Sequence, residues 1–229
     1  MKEMVQKIEK SFKEYSKYYF EKEPKGLYEP LLYTMNSGGK RIRPLLALLS
    51  TQLFDGDIDQ ILKPAYGVEL FHNFTLLHDD IMDNSDIRRG MPTVHKKFGI
   101  NAGILSGDLM MVLALKLASE LEGSVQKEMY DLMIQTSIEL YEGQQFDVEF
   151  EERNDVRQEE YIKMIELKTA VLIGCSLKIG AIVAKASKAY QDKIYEFGRN
   201  IGLSFQIQDD YLDTFGDPKT FGKQVGGDI

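Results

Sequence analysis

Phe74-Thr75-Leu76-Leu77-His78-Asp79-Asp80-Ile81-Met82-Asp83 sets three carboxylates in an apolar run, and 130 residues further on Phe205-Gln206-Ile207-Gln208-Asp209-Asp210-Tyr211-Leu212-Asp213 repeats the arrangement. On a helix the first and fifth residues of Asp-Asp-x-x-Asp lie about 40° apart around the axis and the second about 100° from the first, so each motif crowds its carboxylates onto one patch. Burying such groups unpaired is costly, and both clusters therefore call for cations. Oxygen-only donors favour a hard ion, Mg²⁺ before Ca²⁺ or Mn²⁺, and Mg²⁺ commonly bridges carboxylates to substrate phosphates. A single acidic run in an acidic chain has a bland reading as a solvated face; two in apolar settings argue against it.

Around these motifs the hydrophobic spacing is helical. Met1 to Phe20 carries Val5, Ile8, Phe12 and Tyr15 at steps of three and four, and Pro24 with Gly26 ends that helix. Pro44 to Phe54, Leu62 to Met82, Ala102 to Leu121, Gln126 to Phe150, Gln158 to Ala186 and Tyr190 to Thr214 follow as helices, divided by turn formers such as Asp55-Gly56-Asp57 and Glu122-Gly123-Ser124. Alternating strand patterns are scarce. The expected fold is all-α, with several helices too apolar for a surface position.

At 229 residues and 43% hydrophobic, the chain can bury a sizeable core as one domain or as part of a somewhat larger one. A net charge of -8 argues against a general nucleic-acid binder but not against anionic substrates, because local cations and metals decide that question. Cys175, the single cysteine, lies in Val171-Leu172-Ile173-Gly174-Cys175 and reads as buried packing; no internal disulfide can form. A cytoplasmic location is expected, with neither a secretory signal nor an 18-residue uncharged apolar run in sight.

Helical geometry adds residues to the first motif. Counting back from Asp79, His72 falls within about 20° and Thr75 within about 40°, so both should line the same groove wall. His72 has two readings, a ligand-facing group or a satisfied core histidine. Glu69-x-x-His72 is half of a di-iron bundle signature, but no second pair exists, since neither His78 nor His95 has a glutamate three residues before it. Basic residues cluster where an anion would need them: Gly38-Gly39-Lys40-Arg41-Ile42-Arg43-Pro44, Arg88-Arg89-Gly90, Lys168-Thr169 and Lys223. Each alone reads as a basic turn or a helix interruption. Acidic triplets, scattered cations and greasy surroundings together describe a site for a diphosphate on a hydrocarbon tail.

Gly-Gly-Lys-Arg-x-Arg-Pro, Leu-Leu-His-Asp-Asp-Ile-Met-Asp followed by Arg-Arg-Gly, Lys-Thr-Ala, and Phe-Gln-Ile-Gln-Asp-Asp-Tyr-Leu-Asp with a later Gly-Lys make the chain, from about Gly38 to Ile229, resemble the trans-isoprenyl diphosphate synthases of the polyprenyl synthetase family. The resemblance implies an isoprenoid synthase helical bundle around a central cavity, usually a homodimer, that joins isopentenyl diphosphate head to tail to an allylic diphosphate. It implies that Lys40, Arg43, His72 and Arg89 hold isopentenyl diphosphate, and that Arg88, Lys168, Thr169, Gln206 and Lys223 contact the allylic diphosphate. Asp79, Asp83 and Asp209 would lead the Mg²⁺ ligands, with Asp80, Asp210 and Asp213 assisting directly or through water; Gln144 and Asp147 resemble a family helix facing the cavity. Residues 1–229 would form one polyprenyl synthetase domain that stops before the family's last helices.

The same resemblance bears on product length. In the family a large residue five before the first motif, here Phe74, tends to stop the growing tail, and an aromatic one position nearer stops it earlier; Thr75 leaves the nearer position open. A C20 product is expected, with C15 as the alternative, although Phe74 also reads as core packing because its angle points partly away from the groove. A terpene cyclase would carry an Asn/Ser/Glu pattern at its second metal site, and a non-catalytic partner subunit would be expected to lose one acidic motif; both motifs are present here.

Overall fold

The computed structural model describes residues 1–118, 120–121 and 123–215. Helices dominate: α1 (Lys2–Phe20), α2 (Lys25–Asn36), α3 (Ile42–Leu53), α4 (Ile58–Met82), α5 (Val94–Phe98), α6 (Ile100–Ala118), α7 (Ser124–Glu151), α8 (Gln158–Ile165), α9 (Val171–Val183) and α10 (Lys188–Phe215). A π-helical turn, Glu166–Ala170, joins α8 to α9, and a hairpin of β1 (Ile87–Arg88) and β2 (Met91–Pro92) separates α4 from α5.

The bundle is built around α4. Its side chains are buried on nearly every face, including Ile61, Tyr66, Leu70, Phe71 and Phe74, as expected for a helix without a polar stripe. Asp57 caps its start by accepting from the Asp59 backbone N–H at 2.9 Å. α4 packs against α3 and α6, and α9, largely apolar and almost wholly buried apart from Lys178, packs against α3 and α10. α1 closes one end: Phe12 meets the Tyr66 ring edge-on at 4.9 Å, and Ser16 shares a 2.8 Å hydrogen bond with the Tyr66 hydroxyl. Burying a ring such as Phe71 contributes about 2 kcal/mol, and the 30 or so residues of this cluster make one continuous core.

Two elements depart from the periodicity reading. α2 is a helix despite Gly26 and Pro30; Leu31 and Met35 are fully or nearly buried, and that tertiary contact outweighs the breakers. The single helix expected over Gln158 to Ala186 is interrupted by the π turn and ends at Val183. α6 is long and apolar enough to cross a membrane by length and composition; here Met110, Ala114 and Leu117 are buried and the helix packs on α4.

Candidate functional site

The loop before α3 and the hairpin after α4 meet on one side of the bundle. Gly38 and Gly39 have φ of 88° and 129°, and a Cβ on Gly39 would come within 3.2 Å of the Arg89 guanidinium, so glycine is required for that contact. Arg89 and Gly90 form the two-residue hairpin turn with φ of 54° and 75°. A left-handed arginine is strained by about 1 kcal/mol, and its guanidinium offsets this by donating to the Gly38 carbonyl at 2.6 Å and to Asn73 Oδ1 at 3.3 Å. The turn thus sends Arg88 and Arg89 to different destinations.

Lys40, Arg43, His72 and Arg89 line one open pocket of about 440 Å³ together with Glu69 and Arg41. Arg43 Nη1 lies 3.1 Å from His72 Nε2. A guanidinium only donates, so Nε2 accepts and the ring proton sits on Nδ1. Burial, then the positive charges of Arg43 and Arg89, push the His72 pKa well below its ordinary value, and the ring is neutral at pH 7. Arg41 is not a pocket cation in the same sense. It is buried, paired with Glu69 at 2.7 Å and with Glu9 at 3.2 Å, and donates to the Met35 carbonyl at 2.8 Å. Glu69, the acid of the apparent half-signature, is thereby committed to Arg41 and to Asn73.

Arg88 faces the first acidic motif. Its Nε donates to Asp80 at 2.7 Å, and Nη2 lies 3.5 Å from Asp79. Lys168 comes to the same motif from the π turn, 3.7 Å from Asp79 Oδ1, and forms an ion pair with Asp147 of α7. Gly143 allows this approach, since a Cβ there would collide with the backbone of Leu167 and Lys168. Burial disfavours the Lys168 charge, but Asp79 and Asp147 outweigh it and hold the ammonium above its usual range. Asp83, at the end of α4, is pushed up to about 6 by partial withdrawal of its carboxyl from water and by Asp79, with Asp147 and Glu151 adding to the effect.

Thr169, the next residue, reaches the other motif. Its hydroxyl donates to Gln206 Oε1 at 2.9 Å, Gln206 Nε2 donates to Asp210 Oδ1 at 2.7 Å, and the Tyr161 hydroxyl donates to Asp210 Oδ2. Consecutive residues of a π turn, Lys168 and Thr169, therefore serve opposite acidic motifs, the kind of local widening that π turns bring to functional sites. Lys223 lies outside the described residues.

The donor set fits Mg²⁺. Asp79 Oδ1 and Asp213 Oδ2 are buried without a hydrogen-bond partner, although the Lys168 ammonium lies 3.7 Å from Asp79 Oδ1. Among the described residues no three acidic or histidine side chains are gathered closely enough to hold a metal alone. Further oxygen donors would have to complete the shell, as is usual for Mg²⁺.

Tyr161, Asn73 and the Arg41–Glu69 pair escaped the sequence reading. Tyr161 lies 49 residues from Asp210, and no local pattern announces that contact. Phe74 is buried and its ring packs against Phe71 at 5.6 Å, His78 at 4.8 Å and Tyr141 at 6.2 Å, while Thr75 donates to the His72 carbonyl at 2.8 Å.

Known proteins resemble this chain in sequence and fold. A geranylgeranyl diphosphate synthase of Saccharolobus solfataricus is 46% identical over 210 residues, covering 90% of this chain and 63% of that protein. A short chain isoprenyl diphosphate synthase of Methanocaldococcus jannaschii is 42% identical over all of this chain and 68% of its own length. The chain thus spans somewhat under two thirds of the first of these relatives and just over two thirds of the second. The crystal structure of geranylgeranyl pyrophosphate synthetase from Pyrococcus horikoshii superposes with a TM-score of 0.92 at 40% identity, covering 100% of this chain and 72% of that one. The polyprenyl synthetase family model matches residues 24–229, nine tenths of the sequence, and the chain belongs to the polyprenyl synthetase family.

Proposed function

We propose that the protein is a prenyltransferase that joins isopentenyl diphosphate, head to tail and in trans, to an allylic diphosphate, with a C20 product. The observation that carries this reading is the pairing of a pocket lined by Lys40, Arg43, His72 and Arg89 with carboxylates interleaved with Arg88 and Lys168. In this reading the pocket holds isopentenyl diphosphate. The allylic diphosphate lies against Arg88, Lys168, Thr169, Gln206 and Lys223.

Asp79, Asp83 and Asp209 would hold Mg²⁺, with Asp80, Asp210 and Asp213 assisting, and the metal when bound neutralises negative charge that develops on the departing diphosphate. Arg88 and Lys168 stabilise the same charge as the allylic C–O bond breaks to give a carbocation and diphosphate. Buried Phe74 and Leu77 keep water from that part of α4. The double bond of isopentenyl diphosphate, oriented by Arg43 and neutral His72, attacks the cation; a C–C bond forms, and the proton that is lost passes to the diphosphate. No side-chain nucleophile is needed.

A cytoplasmic homodimer goes with this reading. Ile104, Leu105 and Val112 of α6 and Tyr130 and Ile138 of α7 are exposed, an apolar face suited to a second copy, which light scattering on the purified protein would test. Incubation with labelled isopentenyl diphosphate, Mg²⁺ and allylic primers of five, ten or fifteen carbons should give a C20 product. A C15 end product selects the shorter-chain alternative, and no product with any primer, despite binding of both diphosphates, selects a non-catalytic partner subunit.

A further inference from the structure

The second residue of each acidic motif is held, but by different chemistry. Asp80 takes a guanidinium, Arg88, at 2.7 Å. Asp210 takes two neutral donors, the Gln206 amide on Oδ1 and the Tyr161 hydroxyl on Oδ2, and no cation pairs with it among the described residues. Both of its oxygens are therefore occupied by neutral donors. Gln206 is fixed from its other end by Thr169, so the bracket around Asp210 is anchored at both sides to the α8–π-turn segment. On α10 Asp209 and Asp213 lie about 40° apart, whereas Asp210 is offset about 100° from Asp209.

We infer that Tyr161 is a positioning residue for the second acidic motif: with Gln206 it keeps Asp210 out of direct metal ligation and turned toward α8, so that Asp209 and Asp213 take the metal and Asp210 contributes its charge from the outer shell. The inference rests on the reading of these aspartates as metal ligands. Neutral donors suit this role because they fix a carboxylate without cancelling its charge; an arginine in the place of Tyr161 would do both.

The test uses purified protein with inorganic diphosphate and Mn²⁺ as the spectroscopic stand-in for Mg²⁺, free Mn²⁺ being read by electron paramagnetic resonance. Tyr161→Phe should weaken Mn²⁺ binding about tenfold, the usual scale for an outer-shell partner, and raise the apparent KM for the allylic substrate while leaving that for isopentenyl diphosphate within twofold. In an Asp210→Asn background the same change should have no further effect on Mn²⁺. Gln206→Met, which removes the other half of the bracket, should shift Mn²⁺ binding in the same direction and keeps the test alive if Tyr161→Phe folds poorly. Unaltered Mn²⁺ affinity in Tyr161→Phe, or an equal loss in both backgrounds, overturns the role of Tyr161 while leaving the prenyltransferase reading intact. Failure of the unmodified protein to bind Mn²⁺ with diphosphate overturns both.

Discussion

The two Asp-Asp-x-x-Asp motifs are identical as patterns and unlike as environments. The first ends α4, at the centre of the bundle, and is flanked by two cations, Arg88 and Lys168. The second sits on α10, whose Phe205, Ile207 and Tyr211 are exposed, and its middle carboxylate is fixed by a tyrosine and a glutamine. One pattern thus yields a cluster whose middle carboxylate pairs with a guanidinium and one whose middle carboxylate is held by neutral donors.

The most severe way to break the comparison is to remove a lead carboxylate from each side. Asp79→Ala and Asp209→Ala should each lower turnover at least about a hundredfold, the scale of losing one strong electrostatic stabiliser, with helical circular dichroism unchanged; near-normal turnover in both would defeat the assignment of either motif to metal. Removing cations instead of carboxylates separates the substrates. Arg43→Ala should raise the apparent KM for isopentenyl diphosphate about tenfold, one lost charge-assisted contact, and Lys168→Ala should do the same for the allylic primer. Steady-state kinetics with each substrate varied in turn would expose an exchange of the two sites.

Product length probes what lies below the first motif. Phe74→Ala should lengthen the product by about one five-carbon unit, and Thr75→Phe should shorten it, both read by chromatography of the dephosphorylated alcohols. Products of C30 or longer from the unmodified protein would place the floor elsewhere, with Phe74 then belonging to the aromatic packing with Phe71, His78 and Tyr141.

The smallest effect is on stability. The folded pKa of Asp83, about 6, lies above its ordinary value of 3.8, so the folded state binds the extra proton. That contribution is fully present below pH about 4 and is lost as pH rises through about 6. In thermal melts with chelator, Asp83→Asn should flatten the decline between these limits relative to the unmodified protein, and parallel curves for the two would remove the carboxylate crowding from the account.

Much of this was legible in the chain itself. The all-α fold, the central helix from the apolar run before Asp79, and the pairing of acidic motifs with basic segments all follow from local spacing, because helix periodicity and charge clustering are written in neighbouring residues. Counting turns puts His72 and Thr75 on the wall below Asp79, whereas His72 lines the pocket with Arg43 and Arg89, a pocket that includes neither Asp79 nor Thr75. What tertiary structure alone decided concerns residues far apart in sequence. Pro24 and Gly26 read as the end of the first helix and leave the next stretch unassigned, yet Lys25–Asn36 is helical, with Leu31 and Met35 buried. Arg41 and Arg43 look interchangeable in Gly-Gly-Lys-Arg-Ile-Arg-Pro, yet one pairs with buried Glu69 and the other faces His72 in the pocket. Tyr161 became part of the site only because α8 and α10 pack side by side. Periodicity specifies which face of a helix is apolar; which distant polar group it meets depends on how the helices pack, and that is where the two motifs acquired their different chemistry.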